Sequence, residues 1–529
     1  MQSLTPEALK AMLLSDRELA LIDVREQGAY SEAHLLFASC IPVSRLELLA
    51  GDLIPRRDTL IVLVSGNPAD GLTERAGQRL QQYGYTNVSV LEGGTSGWQA
   101  AGFEVFSGIN VPSKAFGEFV EANFDTPRLP ASEVKAMLDA KRDLVVVDSR
   151  PFEEYQRMNI PGATDMPGAE LAYRIHDLAP DPNTFVVVNC AGRTRSIIGA
   201  QSLINAGIPN PVAALKDGTM GWHLAGFELE RGATRQADKP GSSGREKALA
   251  CAASVAARFG VQTVSRARLE GWLAEPDQTT YLLDVRAPAE YAEGHLPGYR
   301  SAPGGQLVQA TDEYVAVRNA RLVLADDIGV RATMTASWLI QMGWAAVYVL
   351  EGGIGTEGLV AGAAAPSVLG PLEAAEVTPD ALVERLNDVS VIDLGLSRDY
   401  DRAHIPGAAW CTRVRLTDAL REAPDRRLVV LTSDDGLLAR VALPEARAFF
   451  ADSSGREVHA LAGGTDHWIA EGHPTASGLE HTIGPTDDVW FKPYDHRGRQ
   501  EQFMRDYLSW EVALVEQIER DGTTRFRRL

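Results

Sequence analysis

Cysteine is scarce in this chain: Cys40, Cys190, Cys251 and Cys411 are the four thiols among 529 residues. No two of them form a C-x-x-C pair, and four scattered thiols build neither a disulfide framework nor a thiolate metal site. Each is therefore read as a single thiol, and no metal or cofactor is expected. Long apolar runs are missing as well. None approaches the roughly 18 residues of a membrane span, and the stretch from Met1 to Asp16 carries acidic residues instead of the basic-then-apolar order of an export signal. A cytoplasmic protein without a membrane partner is expected. Positive charge is in deficit, with 51 Lys and Arg against 71 Asp and Glu and a net charge of −20. A phosphate-coated partner would be repelled, which argues against nucleic acid. The remaining composition, 45% hydrophobic and 23% charged, is that of a globular chain and excludes wholesale disorder. At roughly 150 residues per domain the length predicts about three or four domains.

An internal repeat sets the domain count. A short apolar run ending in Asp occurs four times, at Asp23, Asp148, Asp284 and Asp393. Each is followed at a near-constant distance by a glycine landmark. Asp23 to Gly93, Asp148 to Gly218 and Asp393 to Gly463 are each 70 residues apart, and Asp284 to Gly352 is 68. Between them lie a His-x-Pro-Gly-like turn, as at His295 and His404, a second β-branched run such as Phe185 to Val188, and a helical stretch such as Ser196 to Ala206 stopped by Gly207. Short, fully apolar strands alternating with helices predict an α/β fold, in which each unit is a small parallel sheet with helices on both faces. The predicted domains are 1–108, 128–231, 264–365 and 372–478, followed by a helical tail, 479–529. An Ala-rich helix over residues 246–259 bridges the second and third.

Ligands in open α/β sheets bind at the carboxyl ends of the strands. There the second unit reads Cys190-Ala191-Gly192-Arg193-Thr194-Arg195-Ser196. A thiol entering the N-terminus of a helix meets backbone N–H groups with no intrahelical partner, which favour a thiolate. Arg193 and Arg195 add positive potential, so Cys190 is expected to have a depressed pKa and to be a strong nucleophile at neutral pH.

The Asp-x-Arg strand end at Asp148 and Arg150, the turn Ile160-Pro161-Gly162-Ala163, the Cys190 loop and the stretch Gly218 to Trp222 resemble the rhodanese family of sulfurtransferases. The resemblance covers about 480 residues. It implies four tandem rhodanese-like domains and a thiosulfate sulfurtransferase activity, in which Cys190 takes sulfane sulfur from thiosulfate or a related small-molecule donor as a persulfide. Cyanide or a thiol then accepts it. Ala191, Gly192, Arg193, Thr194, Arg195 and Ser196 would bind the dianionic donor. A thiolate at Cys190 would need no separate general base.

A constant offset of 42 residues from the strand-end Asp places Ser65, Asp326 and Asp435 at the position of Cys190, so the other three domains are expected to be inactive. Arg331 and Arg440 then fall at the position of Arg195 and are read as pairing with the aspartates. Asp148 and Arg150 are read as a structural ion pair, and Cys40, Cys251 and Cys411 as inert thiols. Two other readings stay open. One is a multidomain interaction scaffold in which Cys190 is a relic. The other is a cysteine-dependent phosphatase or arsenate reductase, whose anion loop is one residue longer than Cys190 to Ser196 supplies. The tail pairs an aromatic cluster, Trp490 to Tyr494, with an amphipathic helix from Arg499 to Arg520. Its apolar face is expected to cover the fourth domain or the active loop, or to form a homodimer, the last being preferred.

Overall fold

The computed structural model describes residues 1–274, 277–451, 455–496 and 498–529. All four repeats are α/β. In the second, the strands are β1 (Arg128–Leu129), β2 (Leu144–Asp148), β3 (Thr164–Asp165), β4 (Phe185–Asn189) and β5 (Val212–Leu215). They pair in the order β1-β5-β4-β2-β3, every pair parallel. The other three repeats keep this order and direction.

The apolar runs of the sequence follow from burial on both sides of the sheet. Successive side chains of β4 alternate between faces. Val186 and Val188 join Leu171, Ala200 and Leu203 in one cluster, while Val187 packs with Val134, Tyr155 and Trp222 in another. Neither face is left to water, so no polar alternation is seen.

The chain divides into two compact units. One comprises Met1–Pro6, Ala20–Ile109 and Pro366–Phe491; the other comprises Glu7–Leu19, Asn110–Ala365 and Lys492–Leu529. Within the first unit the first and fourth repeats are joined by one buried and one half-buried charge pair. Arg413 Nη1 lies 2.7 Å from Glu47 Oε2, and Arg79 Nη2 lies 3.1 Å from Glu445 Oε2. Within the second unit the second and third repeats are joined by Arg331 to Glu170 (2.8 Å) and by Trp338 Nε1 donating to Ser202 Oγ (2.7 Å).

Four helices frame the second repeat. Helix α1 (Val111–Phe124) fills the interval left between the first two predicted domains, with Val111, Ala115, Phe116 and Val120 buried. Helix α2 (Thr194–Ala206) follows β4 and stops at Gly207, whose φ of 71° is left-handed. The Ala-rich segment is α3 (Ser242–Phe259), which adds Val255 and Phe259 to the core of the second repeat. Helix α4 (Gln500–Asp521) belongs to the tail and buries Met504, Leu514 and Ile518 in the second unit. No helix among the described residues is long and apolar enough to cross a membrane.

Candidate active site

Strand β4 ends at Asn189 and α2 begins at Thr194, so Cys190 to Arg193 form a tight turn between a buried strand and a helix start. The stretch after β5 holds this turn in place. Thr219 N donates to Cys190 O (2.8 Å) and Met220 N donates to Ala191 O (3.0 Å). Gly218 lies beneath the loop with a φ of 54°, and a Cβ there would collide with Cys190 O and stand 2.8 Å from Gly192 O. That close approach is why the landmark is a glycine.

Cys190 is 2% exposed. Burial pushes its thiol above the ordinary cysteine value. Arg195 and hydrogen bonds from the Ser196 side chain and backbone pull it down, and Glu511 pushes it up. The helix-start groups are present as the sequence predicted, but the resting thiol is not the depressed one expected, because the loop is covered.

The two loop arginines have different surroundings. Arg195 bridges Glu154 (Nη2 to Oε2, 2.8 Å) and Gln306 (3.3 Å), and its charge acts on Cys190. Lys492 also reaches Glu154, at 3.1 Å. Although burial opposes it, Arg195 and Lys492 hold the Glu154 carboxyl well below the usual range. Arg193 is instead engaged by three carboxylates: Glu118 and Glu121 of α1, and Asp217 at 3.1 Å. Its positive charge is neutralised locally, in contrast to the expectation that both arginines serve the loop. Sequence reading missed Glu118 and Glu121 because they lie on α1, outside the predicted domains. The apolar spacing Val111, Ala115, Phe116, Phe119, Val120 was the available signal for that helix.

Asp148 and Arg150 form a fully buried pair, with Nε to Oδ1 and Nη2 to Oδ2 both at 2.8 Å, and Arg150 also donates to Met158 O (2.6 Å). The same clasp joins Asp23 to Arg25 and Asp284 to Arg286. In the fourth repeat Gly395 replaces the arginine, and burial pushes Asp393 up to about 6.

Sheet register identifies the residues equivalent to Cys190. Asp148 pairs with Asn189, Asp23 with Val64, Asp284 with Ala325 and Asp393 with Thr432. The next residues are Cys190, Ser65, Asp326 and Ser433. In the fourth repeat the strand end arrives two residues early, so Ser433 takes the position that the constant offset assigned to Asp435. Thr465 N donates to Ser433 O (2.9 Å) just as Thr219 N does to Cys190 O. Asp435 accepts from Leu437 N beyond the turn, and Arg440 donates to Glu373 O (2.8 Å) instead of pairing with an aspartate. In the third repeat Asp326 fills its own loop, accepting from Gly329 N and from Ala332 N (3.1 Å). Arg331 pairs with Asp327 at 2.8 Å and lies 4.0 Å from Asp326.

The tail lies over the turn that carries Cys190. A Cβ on Gly192 would stand 3.2 Å from Glu511 Oε2 and 3.4 Å from Tyr507 Cε1. Met504 and Tyr494 pack with Met158 and Met220, and Ala191 and Leu508 adjoin this cluster. Tyr507 and Leu508 thus pack beside the turn, while Val512 of the same helix stays exposed.

The other three thiols have their own surroundings. Cys411 is buried, and burial pushes its pKa well up; Cys251 Sγ lies 3.7 Å from His176 Nε2; Cys40 Sγ contacts Arg25 O at 3.6 Å. Asp380, Glu471 and His473 bring potential metal-ligand atoms within 4.8 Å of one another, but the two carboxylates are exposed and His473 lies within ion-pair distance of both.

The Rhodanese-like domain model matches residues 5–101, 130–225 and 265–355. The chain is similar to the crystal structure of thiosulfate sulfurtransferase from Pseudomonas aeruginosa, with 49% identity, a TM-score of 0.94 and coverage of 100% of both chains. It is 37% identical over 91 residues to the HTH-type transcriptional regulator Rv0324 of Mycobacterium tuberculosis, covering 17% of this chain and 39% of that protein. It is 34% identical over 98 residues to the uncharacterized protein YqhL of Bacillus subtilis, covering 18% of this chain and 72% of that protein. The chain thus spans about two fifths of the regulator's length and the whole of the Pseudomonas structure. The fourth repeat lies outside the matched segments, yet it has their strand order. With the model matching more than half of its residues, the chain belongs to the rhodanese family.

Proposed function

We propose that this chain is a sulfurtransferase that moves sulfane sulfur from thiosulfate or a related donor, through a persulfide on Cys190, to cyanide or a thiol. The observation that carries this reading is that Cys190 is the one thiol among the four equivalent strand-end positions, facing Arg195 and the first N–H groups of α2. The whole-length similarity to a thiosulfate sulfurtransferase supports the same donor.

Cys190 Sγ attacks the outer sulfur of thiosulfate. The bond from that sulfur to sulfite breaks, its electron pair departs on sulfite, and the thiol proton ends on the new persulfide. Backbone N–H groups of Ala191, Gly192, Thr194 and Ser196 and the Arg195 charge stabilise the anionic donor and leaving group. Arg193 acts by holding the turn against α1. Domains 1–108, 264–365 and 372–478 do not take sulfur, because Ser65 and Ser433 are hydroxyls and Asp326 puts a carboxylate where the anion must bind.

Mass spectrometry of the full chain after thiosulfate treatment tests this reading. One added sulfur on the Cys190 peptide, absent from Cys190→Ser, is expected. No added sulfur in the wild type, or the same addition in Cys190→Ser, would overturn it.

A further inference from the structure

The tail brings a buried carboxylate to the mouth of the turn. Glu511 is 2% exposed. Its Oε1 accepts from Tyr507 Oη (3.0 Å) and from Thr194 Oγ1 (3.2 Å), the first residue of α2. Its Oε2 is buried with no hydrogen-bond partner among the described residues, and points over Gly192, two residues beyond Cys190. An unpartnered carboxylate oxygen in a buried site is unfavourable and asks for a donor that is not part of the resting chain.

We propose that Glu511 is the general base of the second half-reaction, taking the proton from a thiol acceptor. The inference rests on the sulfurtransferase reading above and names the acceptor class the site is built for. Oε1 is fixed by two donors, so Oε2 is the free lone pair, and it lies beside the turn that carries the persulfide. In the transfer, Oε2 removes the S–H proton of the acceptor while the acceptor sulfur attacks the outer sulfur of the Cys190 persulfide. A new S–S bond forms, the Cys190 Sγ–S bond breaks, and its electron pair remains on Cys190 as thiolate. The product leaves as the acceptor's persulfide, with the proton on Glu511.

The surroundings suit this role. Burial pushes Glu511 up to about 7, opposed by Lys114 and reinforced by Glu118, while the Tyr507 hydrogen bond and the Arg193 charge pull it down. A base is most effective when its pKa lies near the working pH. Lys114, itself buried, stands 5.3 Å from the Tyr507 ring centroid and 5.1 Å from that of Trp510, so the counter-charge is held by the same helix.

The test uses the full chain with Cys190 loaded from thiosulfate, discharged by dithiothreitol or by sulfite at about pH 8, where sulfite brings no proton to be removed and the thiol does. Loss of the persulfide is followed by mass spectrometry. Glu511→Gln should lower the ratio of dithiothreitol to sulfite discharge rates at least tenfold, and Glu511→Asp should recover part of it. An unchanged ratio in Glu511→Gln, or an equal loss of both discharges, would overturn the inference while leaving the persulfide reading intact. A wild-type protein that never loads sulfur on Cys190 would overturn both.

Discussion

Arg193 grips Glu118 through two parallel hydrogen bonds of 2.7 Å, Nε to Oε1 and Nη2 to Oε2. The partner is 3% exposed, so Arg193→Ala leaves a buried carboxylate without its counter-charge. A loss of about 3–5 kcal/mol in unfolding free energy is expected, measured by denaturant titration. Arg195→Ala should cost less stability, because Lys492 stays on Glu154. Its effect should fall on the donor, with the thiosulfate KM rising about tenfold or more for a lost charge-assisted contact. Equal effects of the two variants on stability would contradict this division.

The pH dependence of Cys190 alkylation gives a second test. Burial raises the thiol's pKa, so iodoacetamide labelling in the resting protein should begin at higher pH than for an exposed cysteine. Groups acting on the thiol have opposite signs. Removing the Arg195 charge should move the onset upward, and Glu511→Gln should move it downward. A labelling onset below that of a free thiol would show that the helix start outweighs burial.

Gly218→Ala should disable the site from beneath. The new Cβ meets Cys190 O and Gly192 O, and the left-handed φ adds strain of about 1–2 kcal/mol. A lower melting temperature together with loss of persulfide formation is expected. Full activity in this variant would mean that the loop can lift without consequence.

Asp326→Cys, placed in a Cys190→Ser background, should stay close to inactive. Arg331 is held by Glu170, Glu290 and Asp327 at 2.6–2.8 Å, and Asp327 adds a negative charge beside the new thiol. Persulfide on residue 326 after thiosulfate treatment, read by peptide mass spectrometry, would show that turn geometry alone suffices.

The sheet and the turn that carries Cys190 were legible because β4 is apolar on both faces and ends at a polar junction, Asn189-Cys190. The fourth loop was misplaced because a fixed offset assumes no deletions, whereas register places Ser433 two residues earlier. The glycine landmark was also one residue looser than it looked. Gly94, Gly353 and Gly464 underlie Ser65 O, Asp326 O and Ser433 O as Gly218 does Cys190 O, and Asp217, with φ of 61°, stands where Gly93, Gly352 and Gly463 do. Glu511 left no local trace at all. It lies over the turn through chain folding across more than 300 residues, and nothing in its own helix distinguishes it from a solvent-facing glutamate.

The grouping of the first repeat with the fourth imposes a delay on assembly during synthesis. Glu47, 2% exposed in the finished unit, has its partner Arg413 on a segment that follows the whole of residues 110–365. At about 5–20 residues per second, the ribosome needs on the order of 13–50 s to make that interval. Through this delay the first repeat must keep a face intended for the fourth repeat in water, while the second and third, adjacent in sequence, can associate as soon as they emerge. Newly made chains are therefore most exposed to misassembly at their amino-terminal repeat.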